Sequence, residues 1–351
     1  MEISVCLIVK NEERVLERCL KCAKQFADEI VVVDTGSIDK TLEIARKYAS
    51  ILKQFDWCND FSKARNFSFS LATKEYICWL DADDIILEED IKKINALKNR
   101  KNLADVYMLK YQFVDEFDNP TFVYFRERIV KNNKNYVWQD PIHEYLKIDG
   151  NIEYENISIT HKPEKFKEAG RNLSIYREYS KTHTLNARQK FYFARELYFN
   201  GLFLEAIEVF NNFLEDKTGW SENKINACLI LAECYKAENK WEMVIISLLR
   251  SFEYGIPQAE VLCKIGDYFL LQHKIKEAIY WYECASKKKT NLKSGAFVEP
   301  KYYTTYPCLQ LCVCHFKLGN LKKAEFYNNK VLKFDKNNKS AQYNTQFFKN
   351  S

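Results

Sequence analysis

Two apolar runs, Ile3–Val9 and Glu29–Asp34, limit the fold of this 351-residue chain more than any other feature. Each is almost continuous in valine, isoleucine and leucine, the pattern of a strand buried on both faces in a parallel sheet. Between them, Val15, Leu16, Cys19 and Cys22 recur at helical spacing over residues 12–25. Parallel neighbours cannot be joined by a tight turn, so strand, helix and strand in this order require a crossover unit. The alternation continues. Thr35-Gly36-Ser37-Ile38-Asp39-Lys40-Thr41 supplies a turn and a helix start before a periodic segment at 42–48. A short strand is expected near 51–55, and residues 61–72 read as a helix carrying Arg65 and Asn66. The sum is a Rossmann-like α/β sheet, which binds ligands outside the carboxyl ends of its strands. Asp34 and Asp81 both stand at such ends.

The next strand carries the chemistry. Glu75-Tyr76-Ile77-Cys78-Trp79-Leu80-Asp81-Ala82-Asp83-Asp84 is an apolar run that ends in three carboxylates. Carboxylate oxygens are hard ligands suited to magnesium or manganese, and alternate residues of an extended segment point the same way. Asp81 and Asp83 are therefore expected to converge on one cation; the plain alternative is a solvated acidic turn. Downstream, residues 105–114 alternate as a strand, Asp118-Asn119-Pro120 turns the chain, and 122–130 returns as the second arm of a hairpin.

Tyr136-Val137-Trp138-Gln139-Asp140-Pro141-Ile142-His143-Glu144-Tyr145-Leu146 then brings three groups able to take a proton. Glu144 is the candidate general base, His143 its support or substitute, and Asp140 its rival. The opposing reading is an exposed loop whose histidine caps a helix. His161 closes a further strand-like run, where a neutral imidazole suits manganese better than magnesium; a structural histidine would explain the same position.

Composition excludes several classes. With 47% hydrophobic and 29% charged residues the chain is globular and long enough for two domains. A net charge of +5 without a dense basic run implies neither nucleic acid nor a membrane surface as partner. The first residues lack the pattern of a signal peptide, and no run approaches the roughly 20 apolar residues of a membrane span, so a cytoplasmic location is expected. In that setting the 12 cysteines read as reduced thiols. Cys19 with Cys22, and Cys312 with Cys314, have no second pair at zinc-site spacing and read as core.

Past Glu164 the sequence turns helical and repeats itself. Leu202-Phe203-Leu204-Glu205-Ala206-Ile207 recurs as Lys240-Trp241-Glu242-Met243-Val244-Ile245, as Lys274-Ile275-Lys276-Glu277-Ala278-Ile279 and as Leu321-Lys322-Lys323-Ala324-Glu325-Phe326. Gly201, Asn239, His273 and Gly319 precede these segments as turn formers, and an insertion falls around 287–300. This is tetratricopeptide spacing. Stacked helix pairs of this kind leave a concave groove, whose functional reading is peptide or protein docking; a stabilising or homodimer-forming role is the alternative. The expected organisation is an α/β domain over residues 1–165 and an all-α tetratricopeptide-like domain over 166–351.

Four motifs, in order, carry a family resemblance: Ile8-Val9-Lys10-Asn11-Glu12-Glu13, Val33-Asp34-Thr35-Gly36-Ser37-Ile38-Asp39-Lys40-Thr41, Asp60-Phe61-Ser62-Lys63-Ala64-Arg65-Asn66 and Trp79-Leu80-Asp81-Ala82-Asp83-Asp84. The first half of the chain resembles glycosyltransferase family 2. It is similar to bacterial members in which a GT-A domain precedes tetratricopeptide repeats, including the peptide glycosyltransferases of glycosylated bacteriocins.

The resemblance implies metal-dependent, inverting transfer from a nucleotide sugar, probed first as a uridine-diphosphate sugar, to Ser, Thr or Cys of a peptide or protein. It places Asp34 on the nucleotide base, Asp81 and Asp83 on ribose and metal, Arg65 near the diphosphate, Val9, Asn11, Glu13 and Ala82 along the donor, and His161 as a further metal ligand. The region around Glu144 lacks the family's clean acidic dipeptide, which leaves the base open. A saccharide or lipid-linked acceptor and a non-catalytic repeat scaffold remain alternatives. A nucleotidyltransferase would need a glycine-rich loop after the first strand, where Lys10-Asn11-Glu12-Glu13 has no glycine.

Overall fold

A buried parallel sheet opens the chain, as the continuous apolar runs require. The computed structural model describes residues 1–164 and 170–349. By its contacts the chain divides into two units, Met1–Thr184 and Leu185–Ser351. The joint expected at 165/166 lies outside the described residues. The helix that follows it stays with the first unit, where the Tyr176 hydroxyl donates to the Ile142 carbonyl at 3.4 Å.

The first unit runs β1 (Ile3–Val9), α1 (Leu16–Ala23), β2 (Glu29–Asp34), α2 (Thr41–Arg46), β3 (Ile51–Gln54), α3 (Phe61–Ser70), β4 (Tyr76–Trp79), β5 (Asp84–Ile85) and α4 (Glu88–Lys98). It continues with β6 (Val106–Val114), β7 (Pro120–Lys131), β8 (Trp138–Gln139), β9 (Tyr145–Leu146), β10 (Ile152–His161) and α5 (Arg171–Thr182). Among the described residues, eight strands form one sheet in the order β3-β2-β1-β4-β7-β6-β10-β5, and β8 pairs with β9 apart from it. β3, β2, β1 and β4 are parallel. β7 then runs antiparallel to β4 and β6, so the sheet is mixed.

Both faces of the parallel half are covered. Ile3, Val5 and Leu7 pack with Leu16 and Leu20 of α1, while Cys6 faces the other way with Val31, Ile77, Trp79 and Trp138. That two-sided burial explains why β1 and β2 do not alternate.

The strand order also shows that the sheet curls. In a flat sheet, four interstrand steps would separate β4 from β5 by about 19 Å. The five residue steps from Trp79 to Asp84 reach about 18 Å only when fully extended. Here they are turned, with the Asp84 N–H donating to the Asp81 carbonyl at 3.0 Å. The β5 edge must therefore bend back toward the carboxyl end of β4, which closes a cleft around the acidic turn.

The second unit is all-helical and built from antiparallel pairs: α6 (Ala187–Phe199) with α7 (Phe203–Glu215), α8 (Ser221–Ala237) with α9 (Trp241–Arg250), α10 (Ala259–Leu271) with α11 (Ile275–Ser286), and α12 (Thr305–Lys317) with α13 (Leu321–Phe334), followed by α14 (Lys339–Lys349). The turn residues read from the sequence do what was expected of them. Gly201, Asn239, His273 and Gly319 all have positive φ, 75°, 56°, 59° and 75°, the left-handed residue that ends each first helix and lets the chain reverse. This is the GT-A-like plus tetratricopeptide-like architecture.

The cysteines are free thiols, with Cys19, Cys312 and Cys314 buried. No helix among the described residues is long and apolar enough to cross a membrane.

Candidate active site

The acidic segment is a turn, not the extended strand end expected from alternation. Asp81, Ala82 and Asp83 connect β4 to β5, and Asp84 opens β5 opposite His161 of β10. One ligand atom each from Asp83, Asp84 and His161 lie within 4.8 Å of one another. His161 Nδ1 is 3.2 Å from Asp83 Oδ1 and 3.9 Å from Asp84 Oδ1. Burial disfavours a charged imidazole, yet the two carboxylates outweigh it and raise the His161 pKa to about 9.

Asp84 is held from below. Its Oδ2 accepts the Asp81 N–H at 3.0 Å and Arg128 Nη1 at 3.0 Å, and both charged side chains are fully buried. The Arg128 guanidinium lies on the Trp79 ring, 3.6 Å from its centroid, and 4.2 Å from that of Tyr111. Asp84 Oδ1 has no hydrogen-bond partner among the described residues.

Asp81 instead joins Arg65. Arg65 Nη2 donates to Asp81 Oδ1 at 2.7 Å and Nε to Glu144 Oε1 at 2.6 Å. The guanidinium lies against two indoles that meet edge to face, 4.8 Å from the Trp79 centroid and 4.9 Å from that of Trp138. Helix α3 aims it: Asp60 caps that helix by accepting the Lys63 N–H at 3.1 Å. One residue on, Asn66 grips the Trp138 backbone in both directions, its Oδ1 accepting the N–H at 2.8 Å and its Nδ2 donating to the carbonyl at 3.0 Å.

This geometry sets the proton affinities. Burial pushes both carboxyls up, but the Arg65 guanidinium outweighs it and holds Asp81 and Glu144 below the usual carboxylate range.

The three base candidates lie on the short hairpin segment between β8 and β9 and are used differently. Glu144 meets Arg65. The His143 ring stacks on Tyr176 with centroids 6.2 Å apart. Asp140 and His143 have φ of 70° and 53°, a left-handed backbone that non-glycine residues seldom adopt. Such strain often accompanies functional loops.

At the end of β2, Asp34 is fully buried. Its Oδ2 accepts the N–H groups of Gly36 and Ser37, each at 3.1 Å, and its Oδ1 has no partner among the described residues. The neighbouring loops are laced together. Asn11 Oδ1 accepts the Ile38 N–H at 2.8 Å, Glu13 Oε2 the Lys40 N–H at 3.2 Å, and the Val9 carbonyl the Thr35 N–H at 2.9 Å. Asn11 and Glu13 thus shape the rim by tying two turns. Ala82, within the acidic turn, is buried.

Sequence reasoning passed over Asp84, Arg128 and Asn66 as site residues. Asp84 stood in the acidic run itself. Arg128 carried no local signal, because its partners lie 44 and 49 residues away.

Residues 4–162 match the family model of glycosyl transferase family 2. This chain carries a family 2 glycosyltransferase domain. Curated relatives agree with it. A TPR repeat-containing protein of Synechococcus elongatus is 33% identical over 146 residues, 41% of this chain and 35% of that protein. The SPbeta prophage-derived glycosyltransferase SunS of Bacillus subtilis (strain 168) is 24% identical over 253 residues, 68% of this chain and 60% of that protein. The chain therefore spans about a third and three-fifths of the lengths of these relatives. The solved S. aureus TarS 1-349 in complex with UDP-GlcNAc aligns at 14% identity and TM-score 0.39, covering 95% of this chain and 91% of that one. The family 2 domain coincides with the unit that holds the acidic turn, Arg65 and Asp34.

Proposed function

We propose that this protein is a metal-dependent, inverting glycosyltransferase that moves a sugar from a nucleotide-sugar donor to a peptide or protein hydroxyl or thiol. One observation carries the reading. At the strand ends of a family 2 domain, Arg65 ties Asp81 to Glu144, while Asp83, Asp84 and His161 form a separate donor set.

That set suits a hard or borderline divalent ion such as manganese or magnesium. It offers carboxylate oxygen and imidazole nitrogen, and Asp84 Oδ1 is buried with no hydrogen-bond partner among the described residues. A divalent ion held there would stabilise the diphosphate as it leaves. Arg65 supplies fixed positive charge nearby, held by two carboxylates and packed on two indoles so that little reorganisation is needed. Asp34, with one free acceptor atom, suits a base or ribose donor group.

Glu144 acts as general base. It is ionised, and its lowered proton affinity comes from Arg65. A diphosphate drawing on the same guanidinium would loosen that hold and raise the affinity of Glu144 for the acceptor's proton.

Calorimetry with a uridine-diphosphate sugar tests the assignment. Asp83→Ala should abolish manganese-dependent binding, whereas Glu144→Gln should bind as the parent does and lose about two to four orders of magnitude in transfer rate. Undiminished binding by Asp83→Ala would remove the metal from this reading. Near-normal turnover by Glu144→Gln, with loss in Asp140→Asn or His143→Ala, would move the base to that neighbour.

A further inference from the structure

The insertion between α11 and α12 lies on the helices of its own unit. Residues 287–304 join these two helices, a longer link than those after α7 and α9. Helices α6, α8, α10 and α12 neighbour one another in a single layer, the layer that lines the inner face of stacked helix pairs. The insertion crosses it. Gly295 (φ 78°) lies against Trp220 at the start of α8, so close that a Cβ there would come within 3.1 Å of the indole. Phe297 lies under the Arg195 guanidinium of α6, 4.6 Å from the ring centroid. The Glu299 N–H donates to Glu260 Oε1 of α10 at 3.1 Å. The Tyr302 carbonyl approaches Cys263 Sγ of the same helix at 4.0 Å.

Burial along the segment alternates. Ala296 and Val298 are 4% and 2% exposed, while Phe297 and Glu299 are half-buried. A two-residue period is what an extended chain shows when one edge is pressed into a surface.

We propose that this helical layer is a binding face for an extended peptide, and that residues 295–299 are its resident occupant, anchored at their C-terminal end by the turn at Pro300–Tyr303. The occupant shows the chemistry the face accepts: small or β-branched side chains at alternate inward positions, an aromatic ring between them for Arg195, and a backbone N–H for Glu260. The partner is a peptide of that pattern. Glu260 accepts a backbone N–H from the occupant, so a proline, which has no N–H, is disfavoured at that position.

The strap is tethered by α11 and α12, so it competes at an effective concentration in the millimolar range. A free peptide binds only when the strap is off, and its apparent affinity falls by the fraction of time the face is open. This regulates the peptide-docking role of the repeats and rests on that role, but not on sugar transfer by the first unit.

The test uses the full chain and a labelled synthetic peptide of residues 292–304, with a scrambled peptide as control. The double variant Phe297→Ala, Val298→Ala should bind the peptide about ten-fold or more tightly than the parent, as expected when a competing internal occupant is weakened. In the parent, hydrogen exchange should release the amides of Ala296 and Val298 well before those of α8 and α10. Failure of the folded variant to bind the peptide overturns the proposal, because the face then has no affinity for its own occupant. Exchange of the strap amides only together with α8 and α10 also overturns it, since the strap would be part of the core. Should the variant not fold, the exchange measurement on the parent decides. Loss of sugar transfer in Glu144→Gln with peptide binding intact would separate this proposal from the catalytic one.

Discussion

The acidic turn of the first unit and the inner face of α10 in the second both bury carboxylates, yet they leave them with opposite proton affinities. Burial raises a carboxyl pKa wherever it occurs. At the acidic turn, Arg65 overcomes it for Asp81 and Glu144, and both fall below the usual range. On α10, burial prevails: Glu260 rises to about 7, and Asp267, which accepts from Tyr282 at 2.6 Å and from Tyr306 at 2.8 Å, is also raised. A guanidinium at contact distance therefore makes a buried acid a permanent charge. A backbone N–H on Glu260 and tyrosine hydroxyls on Asp267 do not outweigh burial, and both carboxyls stay raised. The first arrangement suits a site that must present fixed charge to a substrate; the second suits a face that accepts hydrogen bonds without a guanidinium at contact distance to fix its charge.

Removing the arginine should break the comparison most severely. Arg65→Met leaves Asp81 and Glu144 buried without a counter-ion, a change that costs about 3–5 kcal/mol when a buried pair loses one partner. Urea unfolding would measure it, together with loss of donor binding. A cost below about 1 kcal/mol would mean that the two carboxylates take up protons or water with ease, and the contrast with α10 would vanish.

The pH dependence of stability sharpens the contrast and differs in sign between the units. Asp81 and Glu144 have folded pKa values below their unfolded ones, so their contribution is present above the ordinary carboxylate range and is lost as pH falls through it. Glu260 is the reverse. Its folded pKa of about 7 exceeds the ordinary 4.5, so its contribution is complete below 4.5 and is lost as pH rises toward 7. The span amounts to about 3 kcal/mol. Glu260→Gln should flatten unfolding free energy between those pH values and make the protein relatively more stable at pH 8. An unchanged slope would show that Glu260 does not titrate there.

Smaller effects come from the groups that aim Arg65. Asn66→Ala removes both hydrogen bonds to the Trp138 backbone and should cost about 1–3 kcal/mol, with a loss of transfer exceeding the loss of donor binding. Asp60→Ala removes the cap of α3 and should cost about 1 kcal/mol, with little change in transfer. Thermal unfolding and steady-state kinetics on the two variants would separate the support of the helix from the support of the indole that flanks Arg65.

Local chemistry was legible in the sequence. The apolar runs of β1 and β2 announced a sheet covered on both faces. Gly201, Asn239, His273 and Gly319 marked the reversals of the helical pairs, because a left-handed residue is a local requirement that glycine, asparagine and histidine meet more readily than most. The order of Asp34, Arg65, Asp81 and Asp83 pointed to the family because each follows a strand or lies on the helix between two of them.

Tertiary structure alone decided which of these groups meet. Arg65 reaches Glu144 across 79 residues, and Arg128 reaches Asp84 across 44. The first joins α3 to the loop between β8 and β9, the second joins β7 to β5, and no local pattern encodes either meeting. The chain turns after Asp81, and the pairing of β5 with β10 brings Asp84 beside Asp83 and His161. The insertion at 287–304 read only as an interruption of the repeats, since its resting place depends on surfaces contributed by α6, α8 and α10 together. A sequence states what each residue prefers within a few neighbours. Where distant preferences must share one volume, the packed fold makes the choice.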